Sequence, residues 1–185
     1  MTITDIMVDL ETLGTSLSCP ILQLGAVAFN ITTGELGPEC VYDIKPNLSE
    51  RPADFKTIQW WMLQSEEARQ SVFGEKERWS LEHTLSTFAK WLNQFNDDVS
   101  LWSHGATFDL SILTQAYEAL GKRPPWNFRM VRDTRTLIAL KPDFSPPPAD
   151  GVKHNALSDA RWQAKAMIQL FRELKSERDL GDYRG

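Results

Sequence analysis

Apolar and polar positions alternate through the opening segment ITDIMVDLET. Ile6, Val8 and Leu10 fall on one side, and Met7, Asp9 and Glu11 on the other, the period-two pattern of a strand. PILQLGAVAFN, from Pro20 to Asn30, predicts a second strand, and ITTGELG supplies turn chemistry for a hairpin. ECVYDIKP predicts a third strand, closed by Pro46. Residues 52–70 read as helix in pieces, with Trp60, Trp61 and Met62 as their apolar content. Leu81, Leu85, Phe88, Trp91, Leu92 and Phe95 recur at helical spacing, with Ser80 placed as the N-cap. VSLWSH predicts a short strand, and FDLSILTQAYEALG a helix stopped at Gly121. Residues 132–140 predict a shorter helix with Asp133 as N-cap, and there is room for one more short strand.

Residues 141–153, KPDFSPPPADGVK, hold four prolines and a glycine, which forbid a helix interior. A long helix follows from about Asn155 to Lys175, with Ala156, Ala160, Ala164, Met167, Leu170, Phe171 and Leu174 as its apolar stripe. The tail, residues 176–185, reads as frayed. Three antiparallel strands, then helices, a strand and further helices give an α/β fold with a mixed sheet. No repeat or linker divides it, so residues 1–175 are expected to form a single domain, an ordinary size for a chain of 185 residues.

Composition narrows the class. Hydrophobic residues make up 42% and charged residues 24%, ordinary for a soluble globular protein. No apolar run is long enough to span a membrane, and the N-terminus has no basic region of a signal peptide. Cys19 and Cys40 form no CxxC pair, which leaves a disulfide between them or, the plainer reading, free thiols in a reducing cytoplasm. The net charge of −5 argues against broad coating of duplex nucleic acid, though not against gripping a strand end. Lys122, Arg123, Arg129, Arg132 and Arg135 fall within 14 residues. They form either a phosphate-contacting stretch or a solvated face.

The candidate chemistry lies in three short segments. Asp9 and Glu11 sit roughly 6.5–7 Å apart along a strand, near enough to share one cation or bridge two. Asp109 falls where the strand VSLWSH gives way to a helix, a place the helix dipole alone would also justify. Asp159 borders the apolar stripe of the last helix, and a carboxylate leaning toward a core needs a partner, either a metal or an arginine. His154 precedes it by five residues, about 140° away around a helix, so it belongs on the proline-rich loop or the first helical turn. From there it can reach over Asp159. An imidazole with a pKa of about 6.5 suits removal of a proton from water near neutral pH. His83 reads as a surface group and His104 as structural. Carboxylates gathered in this way suit Mg²⁺ or Mn²⁺, and two such ions are the apparatus of phosphodiester hydrolysis.

D-x-E, a strand followed by F-D, and H-x₄-D, in that order over residues 5–174, resemble the DnaQ-like (DEDDh) 3′–5′ exonuclease superfamily, in particular its free-standing phage and bacterial members. The resemblance implies a ribonuclease H-like fold, with Asp9, Glu11, Asp109 and Asp159 as ligands of two divalent ions, Mg²⁺ or Mn²⁺, and His154 as general base. Leu10, Thr12 and Leu13 resemble the segment that holds the terminal nucleotide, and Phe108 the aromatic before the middle aspartate. The chain departs at HGATFD, where Gly105 stands at a position many members fill with asparagine. The implied substrate is the 3′ end of single-stranded DNA or RNA, shortened to nucleoside 5′-monophosphates. A homodimer is a further expectation, since free-standing members often pair.

Two other readings compete. A non-catalytic nucleic-acid-binding module on the same fold would usually have lost one of the acids or the histidine, and all five are present. A phosphohydrolase with an aspartate nucleophile commonly carries D-x-D, and would leave His154 and Asp159 unexplained. Trp60 or Trp61 is placed to stack on a base, with at least one of them expected in the core.

Overall fold

The computed structural model describes residues 2–96 and 98–182, with side chains as far as Glu177. Five strands form one mixed sheet in the order β3-β2-β1-β4-β5. They are β1 (Asp5–Thr12), β2 (Ile21–Phe29), β3 (Leu36–Asp43), β4 (Ser100–Ser103) and β5 (Val131–Asp133). β1 pairs antiparallel with β2 and parallel with β4, so it runs through the middle of the sheet. β5 lies parallel to β4, and the C-terminal ends of β1, β4 and β5 therefore share one edge of the domain.

The alternation along β1 sorts the two faces. Ile6, Val8 and Leu10 pack with Leu24, Ala26 and Leu101 against α3 (Leu81–Leu92) and α4 (Asp109–Ala119). Met7, Val27, Phe29 and Trp102 pack on the other face against Ala160, Ala164, Met167 and Leu170 of α6 (Ala156–Asp182). The expected stripe of small residues on the last helix is thus its contact with the sheet. α1 (Phe55–Met62) and α2 (Glu66–Phe73) are the helical pieces anticipated over residues 52–70. Ser80 caps α3 by accepting from the His83 N–H.

Three boundaries differ from expectation. The third strand starts at Leu36, because its hairpin with β2 closes earlier, and regular pairing ends at Asp43 before Pro46. The segment from residue 132 opens as strand β5, and helix α5 (Thr134–Ile138) begins only after Asp133, whose carboxylate accepts from the Arg135 N–H as the predicted cap. The last helix continues beyond Lys175 to Asp182, so α6 takes in residues 176–182. Residues 183–185 of the predicted tail lie outside the described residues. Cys19 and Cys40 are free thiols, and burial pushes the Cys40 thiol up to about 12. No helix among the described residues is long and apolar enough to cross a membrane.

Candidate active site

Asp9 and Glu11 both project from β1 toward α6, on the face opposite Leu10. That face is covered by a helix brought unusually close. Gly25 lies opposite Asp9 in the β1–β2 register. A Cβ at Gly25 would come within 2.3 Å of the carbonyl carbon of Ala156 and of the Leu157 nitrogen. Only glycine lets the first turn of α6 descend onto the sheet there. Gln23, opposite Glu11, fixes the same turn: its Oε1 accepts from the Ala156 N–H at 2.8 Å. Its Nε2 donates to Asp43 Oδ1 at 2.8 Å, an oxygen also held by Lys76 at 2.6 Å, which orients the amide.

The approach of α6 delivers Asp159 and His154. Asn155 caps the helix through its Oδ1, which accepts from the Ser158 N–H at 3.1 Å. His154 precedes the cap in a left-handed backbone conformation, φ 60°, a conformation uncommon outside glycine. Two hydrogen bonds hold it there: its N–H donates to Asp159 Oδ2 at 3.0 Å, and its carbonyl accepts from the Ser71 hydroxyl at 3.3 Å. The imidazole lies edge-on to Trp60 and Trp61, with ring centroids 4.8 and 6.1 Å away. Donor atoms of Glu11, His154 and Asp159 all fall within 4.8 Å of one another. Asp159 finds the His154 backbone as its partner, and no arginine pairs with it among the described residues.

Asp109 arrives from the opposite face. β4 pairs with β1 only as far as Met7, so the Leu10 N–H emerges past the end of that ladder. Asp109 Oδ1 accepts it at 3.2 Å, anchoring the first turn of α4 to the strand that carries the other two acids. On the remaining side, Gln163 Nε2 donates to Asp9 Oδ1 at 2.8 Å.

These positions put four carboxyls in one electrostatic field. Burial, followed by repulsion from Asp109, Glu11 and Asp159, raises the Asp9 carboxyl well above the ordinary range. Burial and repulsion from Asp159 and Asp109 push Glu11 up to about 8. Burial pushes Asp109 up to about 7, against the opposing pull of the Leu10 N–H and the Arg135 charge. Asp159 is raised by burial, and burial lowers His154 despite the attraction of Asp159. Such a set ionises together only against compensating positive charge. Oxygen donors in this number, beside a neutral imidazole, fit hard divalent cations. The buried Gln163 Oε1, with no partner among the described residues, adds one more acceptor to the same wall.

A cleft of about 470 Å³ opens beside this cluster, lined by Leu10, Glu11, Thr12, Lys56, Trp60 and Phe108 among others. Three of the four expected nucleotide-holding residues therefore border it. Leu13 does not. It is buried against Leu22, Trp61 and Val72, and borders a neighbouring apolar cavity of about 510 Å³. The two tryptophans sit in different environments. Trp60 is 42% exposed on the cleft, whereas Trp61 is in the core with its indole N–H on the Thr12 carbonyl at 2.9 Å. His83 is exposed, and His104 Nδ1 lies 2.9 Å from the Thr134 hydroxyl.

The basic stretch does not act as one patch. Lys122 follows α4 at the end away from the acids and pairs with Glu82, while Arg132 turns onto the carbonyls of Arg129 and Val131. Arg135 alone stands at the site edge, beyond the C-terminal end of β5. Sequence inspection missed Gln163, Gln23 and Gly25. Of these, only Gln163 carried a signal, one helical turn after Asp159 and so on the same face.

A model of the 3′–5′ exoribonuclease Rv2179c-like domain matches residues 4–171. An exodeoxyribonuclease of enterobacteria phage T4 is 30% identical over 159 residues, covering 72% of this chain and 70% of that protein. Exonuclease X, solved in complex with 5′ overhanging duplex DNA, superposes over 91% of both chains with a TM-score of 0.59 at 16% identity. The nuclease domain of 3′hExo, a DEDDh family member bound to rAMP, superposes over 91% of both chains with a TM-score of 0.60 at 14% identity. The structural likeness establishes the ribonuclease H-like exonuclease fold.

Proposed function

The chain belongs to the Rv2179c-like 3′–5′ exoribonuclease domain family, and from that premise we propose a two-metal 3′–5′ exonuclease that releases nucleoside 5′-monophosphates from single-stranded ends. The observation that carries this reading is the convergence of Glu11, Asp159 and His154 within 4.8 Å, beside Asp9 and Asp109, at the edge of a cleft with an exposed tryptophan.

Asp9, Glu11, Asp109 and Asp159 would hold two divalent ions, Mg²⁺ or Mn²⁺. When bound, these ions supply positive charge to the attacking water and to the departing 3′-oxygen. The chain's own groups do the rest. His154 is neutral near pH 7, because burial lowers its pKa, and it accepts the proton of the attacking water. Its fixed backbone and the flanking indoles keep the ring beside Glu11 and Asp159. Leu10 and Phe108 offer apolar surface to the terminal base, and Trp60 a ring face to stack on. Lys56 and Arg135 place positive charge on the rim of an otherwise acidic site, which favours an entering phosphate. The exposed ring of Trp60 and the neighbouring Phe108 offer stacking surface to unpaired bases, which suits a single-stranded end.

The test uses single-stranded DNA and RNA of matched sequence, labelled at the 5′ end, with Mg²⁺ or Mn²⁺. The expected result is a ladder shrinking one nucleotide at a time, stopped by EDTA and by His154→Ala. The faster substrate assigns the sugar, since the matching family is described as an exoribonuclease and the T4 relative as an exodeoxyribonuclease. Metal binding without cleavage of either strand would overturn the reading in favour of a non-catalytic binding module.

A further inference from the structure

Arg135 stands at the edge of the carboxylate site, where its charge opposes the burial that raises the Asp109 carboxyl. It is the second residue of α5, beyond the C-terminal end of β5, and its side chain is exposed. The Asp133 carboxylate fixes its location from two sides. One oxygen accepts from the Arg135 N–H at 2.8 Å, and the other from the Ala106 N–H at 2.6 Å, which ties α5 to the loop between β4 and α4. In that loop Gly105 has φ +107°, a conformation side-chain-bearing residues rarely adopt. A Cβ at Gly105 would lie 3.2 Å from Arg135 Nη1 and 3.4 Å from Cζ. The guanidinium therefore lies over bare backbone, four residues from Asp109, in space a larger residue would contest.

Several cations of the chain are engaged in ion pairs, Arg161 with Glu39, Lys122 with Glu82, Lys165 with Asp150 and Lys141 with Glu177. Arg135 forms no ion pair among the described residues, a state that others share, Lys56 and Lys153 near the site among them. An exposed arginine usually indicates only solvation, but this one is clamped at its backbone and laid against the loop that leads to an acidic residue of the site. A guanidinium presents paired donors that match the two non-bridging oxygens of a phosphodiester.

We propose that Arg135 is a substrate-binding residue that receives a backbone phosphate from one of the last two linkages of the strand as it crosses Gly105. The proposal rests on the exonuclease reading given above and specifies how the site grips the strand. One guanidinium on one phosphate makes the contact independent of base identity.

The experiment combines Arg135→Gln and Arg135→Lys with oligonucleotides in which single phosphates are replaced by neutral methylphosphonates. For Arg135→Gln we expect a roughly tenfold rise in KM, the scale of a hydrogen bond to a charged group, with a smaller change in kcat and a shallower salt dependence of binding. Arg135→Lys should recover part of the loss. In the wild type, one methylphosphonate near the 3′ end should weaken binding about as much as the substitution does. Arg135→Gln should be indifferent to that same replacement, a coupling that a merely structural residue would not show. Unchanged melting of both variants confirms that the fold is intact. Equal sensitivity of wild type and Arg135→Gln at every linkage would overturn the proposal while leaving the exonuclease in place. So would a loss confined to metal affinity, which would make Arg135 a partner of Asp109 instead. A wild type that leaves the unmodified strand intact would overturn both readings.

Discussion

Gln163 donates through Nε2 to Asp9 Oδ1 at 2.8 Å, so one turn of α6 presents two groups to the site, Asp159 and then Gln163. A carboxylate held in this way is fixed before any ligand arrives, at the cost of burying an amide whose Oε1 has no partner among the described residues. Gln163→Leu is expected to lower divalent-ion affinity about 10–100-fold, the usual effect of removing a group that orients a ligating residue. Excess metal should restore much of the activity. Calorimetric titration with Mn²⁺ checks the first part, and unchanged affinity would show that Asp9 needs no such support.

Gly25 carries the close approach of α6. With Ala at this position, the added carbon would meet the Ala156 and Leu157 backbone at 2.3 Å, and backbone cannot swing aside as a side chain can. Gly25→Ala should destabilise the protein by about 1–3 kcal/mol, the range for overpacking. It should also reduce kcat by displacing His154 and Asp159. Melting curves and steady-state kinetics on the same variant check both effects.

The two tryptophans should separate cleanly. Trp61→Ala removes a buried ring and its bond to Thr12, and should cost about 3–5 kcal/mol of stability. Trp60→Ala should change stability little and raise KM, because its ring is exposed on the cleft that both tryptophans border. Parallel denaturation and kinetic measurements decide this, and equal losses of stability would argue against the division.

How much of this was legible in the chain follows from how local each signal is. Alternation along β1 placed Asp9 and Glu11 on one face, because strand geometry depends only on neighbouring residues. Ser80 and Asp133 were readable as caps for the same reason. The small residues of α6 announced the contact with the sheet, although not its depth, which depends on Gly25 more than a hundred residues away. Gln23 reaching the Ala156 N–H is equally non-local. The basic stretch stayed open between two readings because residues adjacent in sequence run from one end of the sheet to the other, leaving Arg135 at the site edge and Lys122 at the end away from the acids. The burial of Leu13 was not legible either, because the strand irregularity between Glu11 and Thr12 comes just before it and its side chain turns into the core.

The raised carboxyls predict an unusual pH dependence. Unfolded carboxyls ionise near about 4, whereas Asp109 and Glu11 in the folded chain are pushed up to about 7 and about 8. Between those values the folded state holds more protons than the unfolded state, so stability falls as pH rises through that window. Below it the contribution is fully present. In EDTA, the melting temperature should therefore drop between about pH 5 and pH 8, and Glu11→Gln should flatten the drop. Mg²⁺ or Mn²⁺ should raise melting more at the alkaline end, because cations favour the ionised carboxylates. A melting temperature that rises with pH in EDTA would contradict the clustering of these acids.

If water attacks the terminal phosphodiester and the 3′-oxygen leaves, solvent oxygen must end on the released nucleotide. A single-stranded oligonucleotide is digested in water enriched in heavy oxygen, and the first products are analysed by mass spectrometry. Nucleoside 5′-monophosphates are expected in order from the 3′ end, each carrying one solvent oxygen on its phosphate. Products bearing a 3′-phosphate, internal fragments, or release beginning at the 5′ end would contradict this course of reaction.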